Sequence, residues 1–378
     1  MIIRPKKSFW KKYGVMLAAI SVGVIFGILI GKYLVTASGE NTSPVAKIGS
    51  LAVMLVCLYL AVFLQTILHE AGHLVAGRLS GYEFSSFRIG SMMWIREEGK
   101  LRFKKLKIAG TGGQCLMSPP DMVDGTVPVL LYNFGGALMN LAAAVVSCAG
   151  WLLCRDVPYV SVFLLSMVFM GIIDALTNGI PLRLGMIDND GHNALAISKD
   201  KEAQRAFCVQ LKANAALLKG STLKDMPEEW FYMPDKEDLK NSITVVMGVF
   251  YCNRLIEEHR FWEAAEEILT LLKKDTAMVD LHRNLLICDL IYCELLGDND
   301  AKIVKELLDK EQKNFMKAMK NNPTVLRTEY AYALLGKKDK SEAEKVQKKF
   351  DKAALTFPYP ADIESERALM KIVDEKFI

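Results

Sequence analysis

From Ile48 to Leu68 the chain reads IGSLAVMLVCLYLAVFLQTIL, twenty-one residues without one charged side chain. About 20 apolar residues suffice to cross the hydrocarbon core of a bilayer. A helix apolar on every face belongs in a large core or in a membrane. Three other stretches share this character, and we expect membrane spans at about 14–36, 48–73, 127–153 and 157–180. Of the 378 residues 51% are hydrophobic, and nearly all of the excess lies before about residue 182. The expected fold is therefore an α-helical integral membrane protein with four transmembrane helices and a small β-hairpin insertion, followed by a soluble all-α helical-repeat domain. The expected boundary divides residues 1–195 from residues 196–378.

Charge then orients the spans. The N-terminus carries Arg4, Lys6, Lys7, Lys11 and Lys12 and no acid before the first apolar run. That run is long and has no small-residue cleavage site, so it reads as an uncleaved span. The stretch near 37–47, with one lysine and one glutamate, is expected outside. Arg78, Arg88, Arg96, Lys100, Arg102, Lys104, Lys105 and Lys107 place the next loop inside, and the short link RDVP lies outside again. Every loop agrees with one orientation: a multi-pass protein of the cell membrane with both termini in the cytoplasm.

The net charge of +4 is modest, and no basic block interleaved with aromatics suggests a nucleic-acid groove. The eight cysteines form no C-x-x-C pair. They read as free thiols in a reducing compartment.

The second apolar run ends in HEAGH. His69 and His73 are two of only five histidines. Residues four apart share a helix face, so these two imidazoles can reach one point. Glu70 stands on the flank of that face. H-E-x-x-H is the arrangement in which zinc lowers the pKa of a bound water and the glutamate takes its proton. Ionisable groups at such a depth are costly and mark function.

A catalytic zinc takes three protein ligands and keeps a fourth position open. The stretch DALTNGIPLRLGMIDNDGHNAL, residues 174–195, offers candidates for the third ligand in Asp188, Asp190 and His192. Pro181 should end the preceding helix, because proline lacks an amide and crowds the turn before it. The bland reading of Asp190-Gly191 is a turn that opens the next helix.

With these motifs in order, the chain resembles the site-2 protease family of intramembrane zinc metalloproteases. HEAGHLVAGRLSG is similar to the first core helix of that family, NFGGALMNLAAA (133–144) to the second, and TNGIP…NDG to the third. The resemblance covers about residues 48–195. It implies a three-helix protease core with one additional N-terminal helix. It also implies one zinc ion per chain held by His69, His73 and Asp190, Glu70 as general base, and Asn140 and Asn178 near bound peptide. Two features depart from the family pattern. Ala137 stands where proline is common, and the interval from Asn178 to Asp190 is long and contains Arg183. Asp188 and His192 stay open as rivals to Asp190.

Residues 81–126 follow the metal helix. MMWIREEGKLRFKKLKI reads as a hairpin about its Glu-Glu-Gly-Lys turn. In the glycine- and proline-rich stretch after it, the apolar centre Cys115-Leu116-Met117 is expected to dip into the membrane interface. One strand edge is expected to accept substrate as an added strand.

Beyond about 195 three turn markers recur, at His259, Gly297 and Gly336, at intervals of 38 and 39 residues. Each joins two amphipathic helices. The pattern loosely resembles tetratricopeptide repeats, whose period is somewhat shorter. Stacked helix pairs of this kind offer a concave surface for a substrate tail or a cytoplasmic protein partner. His259 and His282 lack ligand spacing and read as surface or packing residues.

The function expected is that of an intramembrane zinc endopeptidase. It would cleave a transmembrane or membrane-proximal segment of a substrate protein with zinc-activated water and Glu70 as base, in regulated proteolysis or signal-peptide processing. The lipid bilayer and a membrane-protein or membrane-peptide substrate are its expected partners, and nucleic acid is not. The alternative is a catalytically silent membrane scaffold whose helical repeats bind a cytoplasmic partner, against which an intact Glu70 argues. A metal transporter would need polar stripes through several spans. Asp174 is the one further acid within them, and it is expected to pair with Asn178.

Overall fold

The structure is a computed structural model that describes residues 43–97, 99–106, 112–181 and 188–377, with isolated positions between 21 and 31. The expected span at 14–36 falls almost entirely outside the described residues, as does Arg183. Three described helices are long and apolar enough to cross a membrane: α1 (Pro44–Leu79), α2 (Val129–Cys154) and α3 (Pro158–Gly179). Ser43 caps α1 by accepting from the Ala46 amide, with Pro44 in the first turn, where its missing amide costs nothing. α3 stops at Gly179. Ile180 before Pro181 is already extended, as proline demands of its predecessor.

These three helices turn the usual burial pattern round. Leu51, Leu55, Tyr59, Val146 and Leu153 are exposed on their outer faces. Gln65, Asn140, Ser161 and Ser166 are fully buried between them. Small residues let the helices approach closely. A Cβ on Gly72 of α1 would strike the carbonyl of Gly135 in α2, and one on Gly135 would strike Gly72 in return. The pair therefore lets two backbones touch beside the HEAGH turn.

Between α1 and α2 lies a four-stranded antiparallel sheet: β1 (Glu83–Ile89), β2 (Met92–Glu97), β3 (Lys100–Lys105) and β4 (Gly113–Ser118), in the order β3-β2-β1-β4. The expected hairpin is β2–β3, with Trp94 opposite Phe103 and a turn at Gly99, where φ is +76°. The sheet is larger than that hairpin because β1 pairs on its other side with β4. Cys115, Leu116 and Met117 are thus part of a strand. Cys115 and Met117 are buried, Met117 lying against Gly77 of α1. The hydroxyl of Tyr132 in α2 donates to the Cys115 carbonyl at 2.8 Å.

The rest of the chain is helical: α4 (Asp190–Ser198), α5 (Lys201–Leu218), α6 (Val245–Glu257), α7 (Phe261–Lys273), α8 (Asp280–Leu296), α9 (Ala301–Leu307), α10 (Lys310–Ala318), α11 (Pro323–Ala331, continued by a π turn over Tyr332–Gly336), α12 (Lys340–Ala354) and α13 (Pro360–Phe377). Three turns, α6–α7, α8–α9 and α11–α12, each contain a left-handed residue that is not glycine: His259, Asn299 and Lys338, with φ of +59°, +54° and +57°. The three turns are alike at this residue, but in the last two the left-handed residue sits two positions after the glycine that marks the sequence. Arg327, fully buried, is clasped between Asp289 of α8 and Glu366 of α13.

The expected boundary at 195/196 is not a gap in packing. Phe207 and Leu211 of α5 and Ile243 share one apolar cluster with Tyr82, Cys115, Met117 and Tyr132. A second contact lies at the far end, where the Lys105 amide donates to the Thr356 carbonyl at 3.1 Å.

Candidate metal centre

His69 and His73 stand one turn apart on α1, and each has its Nδ1 held from behind. The Nδ1 of His69 lies 2.6 Å from Oδ1 of Asn140, and that of His73 lies 2.8 Å from the Tyr132 carbonyl. Asn140 is itself fixed, because its Nδ2 donates to the Gln65 carbonyl at 2.9 Å and to Gln65 Oε1 at 2.8 Å. Gln65 completes the chain by donating to the Met167 carbonyl of α3 at 2.8 Å. Both partners of the Nδ1 atoms are acceptors, so each Nδ1 carries a proton, and in the neutral imidazole each Nε2 presents a lone pair.

The two lone pairs face a carboxylate. Asp190 Oδ2 lies 3.0 Å from His69 Nε2 and 3.3 Å from His73 Nε2, and the two Nε2 atoms are 3.2 Å apart. With both imidazoles neutral the three groups are all acceptors, a set that could hold a cation. Two imidazoles and a carboxylate form a donor set suited to zinc, and ligands at bonds of about 2.0–2.2 Å on a tetrahedron sit about 3.3 Å apart. The residues present fit the ion. His69, His73 and Asp190 are the group of this kind among the described residues.

Asp190 reaches this point through its neighbours. Asn189 caps α4 by accepting from the His192 amide, and its Nδ2 donates to the carbonyls of Thr177 and Ile180, both at 2.6 Å. This pins the start of α4 to the end of α3. The rivals are turned elsewhere: Asp188 Oδ2 lies 3.6 Å from His192 Nε2, and the two pair with each other. Asp190-Gly191 does open a helix, and the same turn carries the carboxylate to the imidazoles.

Glu70 is buried beside the centre, packed so tightly that a side chain on Gly113 of β4 would collide with its carboxylate. A side chain on Gly136 would collide with the His69 ring. Arg88 of β1, also fully buried, donates to the carbonyls of Gly90 and Gly113 at 2.7 and 3.0 Å and so holds the start of β4 in place.

A cavity of about 710 Å³ opens over the centre. Gly112 to Leu116 form one wall, and Gln210 and Asn214 of α5 stand among the residues lining it. Asn178 lines it too, half-buried, with its Nδ2 donating to the Asp174 backbone carbonyl at 3.0 Å. Asn140 does not. It is fully buried behind His69, where its Oδ1 meets the imidazole Nδ1. His282 lines the cavity, a place its spacing gave no reason to expect. Sequence reasoning also passed over Gln65, Asn189 and the Tyr132 carbonyl. Gln65, an amide in an uncharged run one turn before His69, was the readable signal.

Fold and site together define the class: a mostly helical protein with three helices fit to span a membrane and a His-His-Asp group able to hold a metal ion. The chain matches no family model, no curated protein and no solved structure.

Proposed function

We propose that the protein is an intramembrane zinc endopeptidase of the site-2 protease kind, anchored by four spans with both termini in the cytoplasm. The observation that carries this reading is the convergence of two bare imidazole nitrogens and a carboxylate, flanked by a buried glutamate, near the end of a helix apolar enough to cross a bilayer. When bound, zinc held by His69, His73 and Asp190 would lower the pKa of a water and polarise the scissile carbonyl.

The protein's own groups do the rest. Glu70 takes a proton from the attacking water at its carboxylate and delivers it to the leaving amide nitrogen. Asn140 and the Tyr132 carbonyl keep the two imidazoles in the tautomer that presents Nε2. A helical substrate hides its carbonyls in hydrogen bonds, so the segment to be cut must be extended. β4 is an edge strand that lines the cavity, and its outer edge supports substrate held as an added strand. Substrates of this chemistry are membrane-spanning regulators or signal-peptide remnants.

The test is metal content by mass spectrometry on detergent-purified protein, with Asp190→Asn and Asp188→Asn beside the parent. About one zinc per chain, depleted by Asp190→Asn alone, supports the reading. Parent protein purified without chelator and free of zinc would sink it in favour of the silent scaffold.

A further inference from the structure

A second cavity, of about 700 Å³, lies far along the chain between α10, α11 and α12. Its lining is unusual in charge. Lys313 and Lys317 rise from α10, Lys320 follows it, and Lys345 and Lys349 rise from α12. Each helix thus carries two lysines four residues apart, neighbours on one face whose like charges repel. None of these five lysines has a carboxylate within ion-pair distance among the described residues. The acids of the groove are already engaged or set back. Glu342 pairs with Lys337 at 2.9 Å, Asp339 caps α12, and Glu329, partly buried, lies beyond ion-pair distance but within electrostatic reach of Lys349. Beneath the charges the floor is apolar, formed by Leu308, Met316 and Val346, all buried.

Two facing rows of cations tolerated at a cost, over a greasy floor, describe a site complementary to an anionic chain. A concave shape suits a peptide better than the flat surface of a bilayer, and stacked helix pairs commonly present such a surface. We propose that this groove binds an acidic peptide segment of a partner protein, with carboxylates paired to the facing lysines and one apolar side chain seated on Leu308, Met316 and Val346. The groove shares no lining residue with the metal centre, and the proposal stands without any proteolytic activity.

Fluorescence anisotropy on the full chain in neutral-lipid nanodiscs tests it. The probe is a short fluorescein-labelled peptide rich in glutamate around a central leucine, compared with the same peptide bearing glutamine for glutamate. Saturable binding of the acidic probe is expected, weakened by salt because the contacts are ionic and exposed. The Lys317→Glu/Lys345→Glu double variant should bind about tenfold more weakly or worse. Both positions are exposed, and an unchanged melting temperature verifies folding, with Lys317→Gln/Lys345→Gln as the milder companion. Equal binding by the folded double variant, or no preference for glutamate over glutamine, overturns the proposal. So does binding of phosphatidylserine vesicles through the same lysines with no peptide binding, which assigns the groove to a lipid surface.

Discussion

The two halves of this chain are both mainly helical, yet they bury opposite things. In α1–α3 the apolar side chains face outward, and the interior holds an amide relay, Gln65–Asn140–His69. In α6–α13 the interior is a continuous apolar cluster, and its buried polar groups include an ion cluster, Arg327 with Asp289 and Glu366. The contrast follows from the solvent. Where lipid replaces water, burial of apolar surface no longer drives helices together, and small residues and hydrogen bonds take over. Where water surrounds the helices, the hydrophobic effect assembles the core. The membrane-type interior is thereby free to hold polar groups at exact positions, which a reactive centre needs.

Substitutions sharpen this contrast, beginning with the largest effect. Glu70→Gln should reduce cleavage of a bona fide substrate by about a hundred- to ten-thousand-fold while zinc is retained. Parent-like turnover by that variant would break the link between the polar interior and chemistry. On the other side, Arg327→Met leaves two buried carboxylates unpaired and should cost about 3–5 kcal/mol of stability, read by denaturant unfolding. A loss no greater than that of a surface substitution would show that the ion cluster does not organise the repeat core.

Asn140→Ala should leave the helices folded, because a hydrogen bond between membrane helices contributes only about 0.6 kcal/mol. It should nonetheless weaken zinc binding about 10–100-fold, as loss of a ligand's supporting partner does. A competitive chelator titration measures this. A collapse of folding with no separate effect on zinc would make Asn140 structural only.

The smallest effect concerns pH. Burial, with Glu257 and Glu366 nearby, pushes the Asp362 carboxyl up to about 8, and burial pushes Glu257 up to about 7. Both folded values lie above those of an unfolded carboxyl, about 4. Their contribution to stability is therefore full at pH 4 and is lost as pH rises through about 7 and 8. Asp362→Asn removes part of that loss. Its melting temperature relative to the parent should rise by about 2–4 °C between acid and alkaline conditions. A pH-independent difference would show that these carboxyls titrate normally.

Much of the first half was legible because its signals are local. The span ends at α2 and α3 fall within a few residues of expectation, since long apolar runs and a proline at 181 act over one or two turns. The β2–β3 hairpin was readable for the same reason, while β1 and β4 were not, because they pair across the hairpin between them. In the repeats, glycine marked the turns, but the left-handed residue proved to be Asn299 and Lys338.

By itself, then, the sequence determined what depends on neighbours along the chain: apolar spans, the imidazole pair on one helix face, the rhythm of helix pairs. Tertiary structure decided what depends on distant partners. Asp190 is 121 residues from His69 and rivalled by two groups within two residues of itself. The Asn189 bonds to the end of α3, with Gly191 packed against the Gly179 carbonyl, bring it to the imidazoles. Likewise, Asn140 met the His69 imidazole, and five scattered lysines came to line one groove, through packing. Local periodicity fixes which way a side chain leaves its helix, but which groups then meet is set by how helices and sheet close around one another.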